Sequence, residues 1–168
     1  GGSWQNLLFE DLLGAQTIVS VVPNPTNPSQ IFACSMHHGL LEINDGLVTN
    51  LWNQSNSGLE SLDPKELNES PNYNSVRVRD VAFDSEGSMW SITNFIGNGL
   101  KKRNLKGDWE SIDLTGLIQV NRASGYSKLV ISPNDEVYFG SAQYGLIGYA
   151  KINGTPVLRS IDVADNLP

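Results

Sequence analysis

The chain has 168 residues, 39% of them hydrophobic and 17% charged, with a formal net charge of −7. That apolar content supports a packed core and excludes a disordered acidic tail, and the negative balance excludes the basic footprint that a nucleic-acid partner requires. No apolar run reaches the roughly 18 residues of a membrane-spanning helix, and one cysteine, Cys34, permits neither an internal disulfide nor a cysteine-based metal site.

The chain opens Gly-Gly-Ser and shows no signal peptide, so a segment of a longer protein is expected. Residues 2–9 read as a last strand of a preceding repeat, because Gly2–Ser3–Trp4 echoes Gly107–Asp108–Trp109. A first repeat of four strands spans 17–52: Thr17 to Val22, Ile31 to Ser35, Leu40 to Ile43 and Val48 to Trp52. The three prolines between Pro23 and Ser29 predict an exposed loop between its first two strands. Residues 53–75 form a long polar insertion, in which Asp63 and Pro64 are placed as cap and first position of one helical turn reaching Leu67.

The second repeat, 76–114, is the clearest. An alternating strand from Val76 to Phe83 meets an Asp84–Ser85–Glu86–Gly87 turn. Strands follow at Ser88 to Thr93, Leu100 to Asn104 and Trp109 to Leu114, with Gly, Asn and Asp at the joints as hairpins require. Lys101, Lys102, Arg103 and Lys106 form the one basic cluster and read as a charged outer strand that discourages edge pairing. The third repeat, 126–163, places Ile131 where Phe83 stands and Tyr138 where Trp90 stands, both at an offset of 48 positions. Repeats of this length made of short strands predict an all-β chain: a β-propeller segment of about three four-stranded blades plus an extra strand. Three blades do not close a ring, so the expectation is a fragment of a larger propeller or a homo-oligomer formed through open blade edges, with a sandwich or a partial barrel as the alternative arrangement of the strands.

Such a frame puts the three loops between second and third strands on one face. They are Met36–His37–His38–Gly39, Asn94 to Gly99, and Ala142–Gln143–Tyr144–Gly145. Aromatic rings beside amides are what a sugar or peptide site needs. The candidate ligand-face residues are therefore His37, His38, Asn94, Phe95, Gln143 and Tyr144. No catalytic residue, metal site or cofactor is expected. Adjacent histidines on a strand point to opposite faces and no third ligand is signalled. No Gly-x-Ser-x-Gly elbow occurs, no phosphate loop occurs, and the carboxylates fall mostly in turns.

The stretch Val81–Ala82–Phe83–Asp84–Ser85–Glu86–Gly87–Ser88–Met89–Trp90 resembles the two-component-regulator propeller repeat of Bacteroidetes, and Gly39–Leu40, Gly99–Leu100 and Gly145–Leu146 fit its continuation. The third copy departs from that pattern with Tyr138 for the Trp and no Gly in its turn. The stretch from His38 to Thr49 is closer still to PorZ-like propeller proteins of type IX secretion. This resemblance implies a seven-bladed, periplasmic or cell-surface propeller that binds rather than catalyses. It implies a non-enzymatic scaffold docking a protein partner or a surface polysaccharide such as lipopolysaccharide. The alternative it implies is a ligand-sensing segment of a hybrid two-component regulator that detects a glycan product.

Overall fold

The computed structural model describes residues 6–65, 69–121 and 124–161. Twelve strands follow in order: β1 Ile18–Asn24, β2 Asn27–Ser35, β3 Gly39–Asn44, β4 Leu47–Trp52, β5 Val78–Phe83, β6 Met89–Thr93, β7 Leu100–Arg103, β8 Trp109–Ile112, β9 Tyr126–Ile131, β10 Val137–Ser141, β11 Gly145–Ile152 and β12 Thr155–Ile161. They form three antiparallel meanders, β1-β2-β3-β4, β5-β6-β7-β8 and β9-β10-β11-β12. First strands meet across the meanders, β1 against β5 and β5 against β9.

The three sheets repeat one another in detail. A register irregularity interrupts the pairing of each first strand with its second: between Ile18 and Ser20, between Val78 and Asp80, and opposite Phe139 and Ser141. The extra residue re-aims the strand and raises its twist. Each blade also closes with the same backbone bond: Met36 N–H to Thr17 O, Asn94 N–H to Arg77 O, and Ala142 N–H to Gly125 O. These three bonds fix the three β2–β3-type loops as equivalents.

The middle sheet is buried on both faces, as stacked blades require: every residue of β6 is buried. Between the first and second sheets, Phe32, Cys34 and Leu40 pack against Val78, Val81 and Met89. Between the second and third, Trp90, Ile92 and Leu100 pack against Leu129, Phe139 and Tyr149, and the Trp90 and Tyr149 rings lie 5.6 Å apart. Each such side chain removed from water contributes about 1.5–3 kcal/mol, so the boundaries between blades are the core. Burial in this apolar boundary pushes the Cys34 thiol far above its usual range, and Cys34 behaves there as a small hydrophobe.

Two expectations are corrected. Residues 23–29 are not an open loop: β1 and β2 continue through them and turn at Pro25 and Thr26. Pro23 lies on an edge strand beside a register shift, and Pro28 precedes the first β2–β3 pair, Gln30 with Asn44; both are positions that tolerate a missing N–H. The basic run 101–103 is not an outer strand, since β7 lies between β6 and β8. Lys101 is fully buried, Lys102 pairs with Asp84 at 2.8 Å, and Arg103 lies over the Trp52 ring. Of the strand expected at 2–9, residues 2–5 lie outside the described residues, and the rest leads into a 3-10 turn at Phe9–Leu12. Leu7 and Leu12 pack there on Ala33 and Leu41 of the first blade. Of the helical turn expected from Asp63 to Leu67, Glu66 and Leu67 lie outside the described residues. Its described start holds a cap-like bond, Lys65 N–H to Asp63 Oδ1 at 2.8 Å.

Candidate functional site

The loop after β6 begins with Asn94, which is 4% exposed. Its Oδ1 accepts the Tyr126 N–H at 2.8 Å, across the boundary to the third blade. That side chain is a structural strut, not a surface group. The next residue, Phe95, adopts φ 65, a left-handed conformation that non-glycine residues rarely take. Its N–H donates to Ser124 O at 3.3 Å. The twist carries the ring to the rim of a cavity of about 760 Å3.

Tyr144, in the loop after β10, forms the opposite wall, and its hydroxyl oxygen accepts the Gln119 N–H at 2.9 Å. The β8–β9 connection, Thr115 to Val120, is the floor. The β4–β5 connection supplies Glu60, Ser61 and Asp63. Gly97 lets the floor approach: a Cβ there would lie 2.7 Å from Thr115 Cγ2. Behind the wall, Leu62 and Ile96 are buried with Tyr73 and Phe95 packed on them, which holds the long insertion against the second blade.

The charged groups follow one plan. Lys101 Nζ reaches the Glu60 carboxylate and donates to Ser111 Oγ at 2.8 Å. Asn98 Nδ2 lies 3.5 Å from the other Glu60 oxygen. Behind Phe95, the Arg77 guanidinium lies 5.1 Å from the ring centroid, and it also donates to Ser75 Oγ and Tyr73 Oη.

His37 joins this row through its Nδ1, 3.2 Å from Ser75 Oγ. Burial first, then the charges of Arg77 and His38, holds its imidazole below the usual histidine range. His38 accepts the Gln16 N–H on Nδ1 at 3.3 Å, and the two imidazole rings stand 6.3 Å apart. Gln143 is exposed beside Tyr144.

Phe95 and Tyr144 are thus brought to one cavity. His37 is linked to that cavity through Ser75 and Arg77, Asn94 is withdrawn into the fold, and His38 and Gln143 do not line the cavity. Glu60, Asp63, Thr115 and Gln119 were missed by sequence reasoning. They stand in the β4–β5 and β8–β9 connections, where the strand repeat carries no signal. Among the described residues, no group of three His, Cys, Asp or Glu side chains converges as a ligand set, and no helix is long and apolar enough to cross a membrane.

No family model and no curated protein matches the chain. Solved structures do. PorZ, a bacterial surface component of the type-IX secretion system of Porphyromonas gingivalis, superposes with a TM-score of 0.67 at 16% identity, over 87% of this chain and 19% of that one. This chain is a β-propeller segment. A second likeness is to the extracellular domain of a B. thetaiotaomicron protein described as a hybrid two component system, with a TM-score of 0.61 at 16% identity, over 90% of this chain and 18% of that one. Both groups that the repeat resembles in sequence are therefore among its structural neighbours, and the segment spans less than a fifth of either.

Proposed function

We propose that this segment belongs to a non-enzymatic, extracytoplasmic propeller, periplasmic or at the cell surface, and that its loop face docks a protein partner or a surface polysaccharide. The observation that carries this reading is the cavity between Phe95 and Tyr144. It is walled by two aromatic rings from neighbouring blades and floored by a connection that belongs to neither hairpin. Its volume falls within the roughly 300–1,000 Å3 of ordinary ligand sites. The lining combines apolar faces with a few hydroxyl, amide and carboxylate groups, the composition of a recognition site. Its two lining carboxylates do other work: Glu60 is held by Lys101, and Asp63 caps the turn at Lys65. Among the described lining residues, none pairs a nucleophile with a base. The surface location of PorZ and the extracellular placement of the second neighbour support the extracytoplasmic assignment.

The test is calorimetry on the full-length parent, titrated with purified lipopolysaccharide and with a panel of oligosaccharides. Binding weakened about tenfold by Phe95→Ala or Tyr144→Ala is the expected result, since losing a stacking ring removes roughly 1–2 kcal/mol. Binding indifferent to both substitutions would remove the loop face from the reading. Binding restricted to one short oligosaccharide would favour a sensor over a scaffold.

A further inference from the structure

Resting on the docking reading above, we infer that the cavity between the second and third blades receives a basic side chain, arginine or lysine, presented by a protein partner. Three features fit that occupant. The floor and back wall carry Ile96, Leu117 and Ile118, aliphatic surface that suits the methylene stem of a long basic side chain. The rim carries the carboxylates of Glu60 and Asp63, and no lysine or arginine lines the cavity among the described residues. Asp63 is exposed and makes no ion pair among the described residues; its Oδ1 accepts the Lys65 N–H, and its Oδ2 has no described partner and stays open to a cation.

Phe95 supplies the third feature. Its ring already accepts the Arg77 guanidinium at 5.1 Å, from a position that does not line the cavity. The same ring borders the cavity and offers a π surface to a second cation.

An anionic polysaccharide fits this lining poorly. Its charges would meet the Asp63 carboxylate, since Glu60 is already paired with Lys101, and no described lysine or arginine lines the cavity to receive them; the chain's net charge of −7 repels it at longer range. The same field accelerates the approach of a basic partner. Lys101 is not a substitute receptor, because it is fully buried and its ammonium is held by Glu60 and Ser111.

The experiment uses the full-length parent and three probes: the peptide acetyl-Ala-Leu-Arg-Leu-Ala-amide, its citrulline counterpart, and a chitosan tetrasaccharide. Ligand-observed NMR reads binding at two salt concentrations. The arginine peptide should bind, the citrulline peptide about tenfold more weakly, and added salt should narrow the gap. Asp63→Asn should weaken the arginine peptide several-fold. Glu60 is left intact because its loss strands Lys101. Gly116→Trp serves as a second variant: a Cβ at Gly116 meets nothing within 4 Å, so the indole enters open space at the cavity without altering its charge. It should abolish binding of the arginine peptide. Equal binding of the two peptides, or indifference to Gly116→Trp, overturns the inference. Chitosan binding that Gly116→Trp blocks, with the arginine peptide silent, also overturns it by giving the cavity to a cationic glycan, while leaving the docking reading in place. Silence from both peptides overturns it as well, and lipopolysaccharide binding sensitive to Phe95→Ala would then show that the docking reading survives alone.

Discussion

Asp80 accepts the Leu129 N–H on Oδ2 at 3.0 Å, across the boundary between the second and third blades. Its other oxygen accepts the Ser20 hydroxyl of the first blade at 2.5 Å. One carboxylate, 3% exposed, thus ties three blades together at their inner strands. It sits just after the register shift in β5, and that irregularity turns a strand residue toward both neighbours. Asp80→Ala leaves a buried amide and a hydroxyl without their acceptor, each worth on the order of 1–3 kcal/mol. Urea unfolding should show a lower midpoint with an unchanged m-value. Asp80→Asn, which keeps one acceptor, should lose less. A midpoint unmoved by the alanine would refute the tie.

Much of the architecture was legible in the chain, and the reason is repetition. The 48-residue offset from Trp90 to Tyr138 brings Val137–Ser141 into register with Met89–Thr93, and both are second strands. The departure in the third repeat is also explained. Asp135 takes φ 60 where Gly87 takes φ 82, a conformation that Asp tolerates better than most residues. Its carboxylate then holds the Ser85 N–H and hydroxyl of the neighbouring blade at 2.8 and 2.6 Å. What stayed hidden depends on neighbours that no local pattern records. Lys101 looks like a surface lysine until Glu60, 41 positions earlier, is folded beside it. Asn94 looks like a loop amide until Tyr126 offers it an N–H. The cavity floor has no repeat partner, so periodicity was silent there.

The pair Lys101–Glu60 is asymmetric, with side-chain exposures of 0% and 43%. Truncating either partner should therefore have unequal effects. Glu60→Gln leaves the buried ammonium without its counter-charge, and removing one partner of a buried pair costs about 3–5 kcal/mol. Water reaches the Glu60 side of this pair, so a loss of about 1–3 kcal/mol is expected here. Lys101→Met removes the buried charge and leaves Glu60 partly hydrated, which should cost less. Thermal unfolding of both variants decides it: a Lys101→Met protein less stable than Glu60→Gln would contradict this account.

Acid should destabilise the fold in two steps. Burial alone would raise the Asp84 carboxyl, but hydrogen bonds from Lys102, Trp90 and Ser88 outweigh it and hold the group below the usual carboxylate range. A carboxylate depressed in the folded state adds stability above its unfolded value of about 3.9 and loses it as pH falls through the folded value. His37 is also held low, by burial and then by Arg77 and His38. Its contribution is complete above the unfolded value of about 6.5 and declines as pH falls toward the folded one. Stability measured by urea titration should slope downward below about pH 6.5 and more steeply below about pH 4. His37→Gln should flatten the first arm and Asp84→Asn the second. A profile flat from pH 7 to 4 would exclude the histidine contribution.

The outward face of the third blade should make this 168-residue chain self-associate. In the first two blades the equivalent face holds Phe32 and Trp90 against the blade that follows. In the third it holds Tyr138, whose ring packs over Gly148, where a Cβ would come within 3.0 Å of it. Around it Val130, Leu146 and Ile152 are exposed at 61%, 42% and 53%. Glu136 and Arg159 stand beside Tyr138 on this face, but its exposed aliphatic groups form a surface shaped to receive another blade, and such a surface in water drives association. Sedimentation velocity should show a concentration-dependent shift to dimers or larger species. The double variant Leu146→Lys, Ile152→Lys should restore the monomer, because two ammonium groups on that face cannot be buried against a second copy without partners. The variant should fold normally, since neither side chain faces the core between the second and third blades. A wild-type chain that sediments as a monomer at all concentrations would show that this face is not adhesive despite its composition.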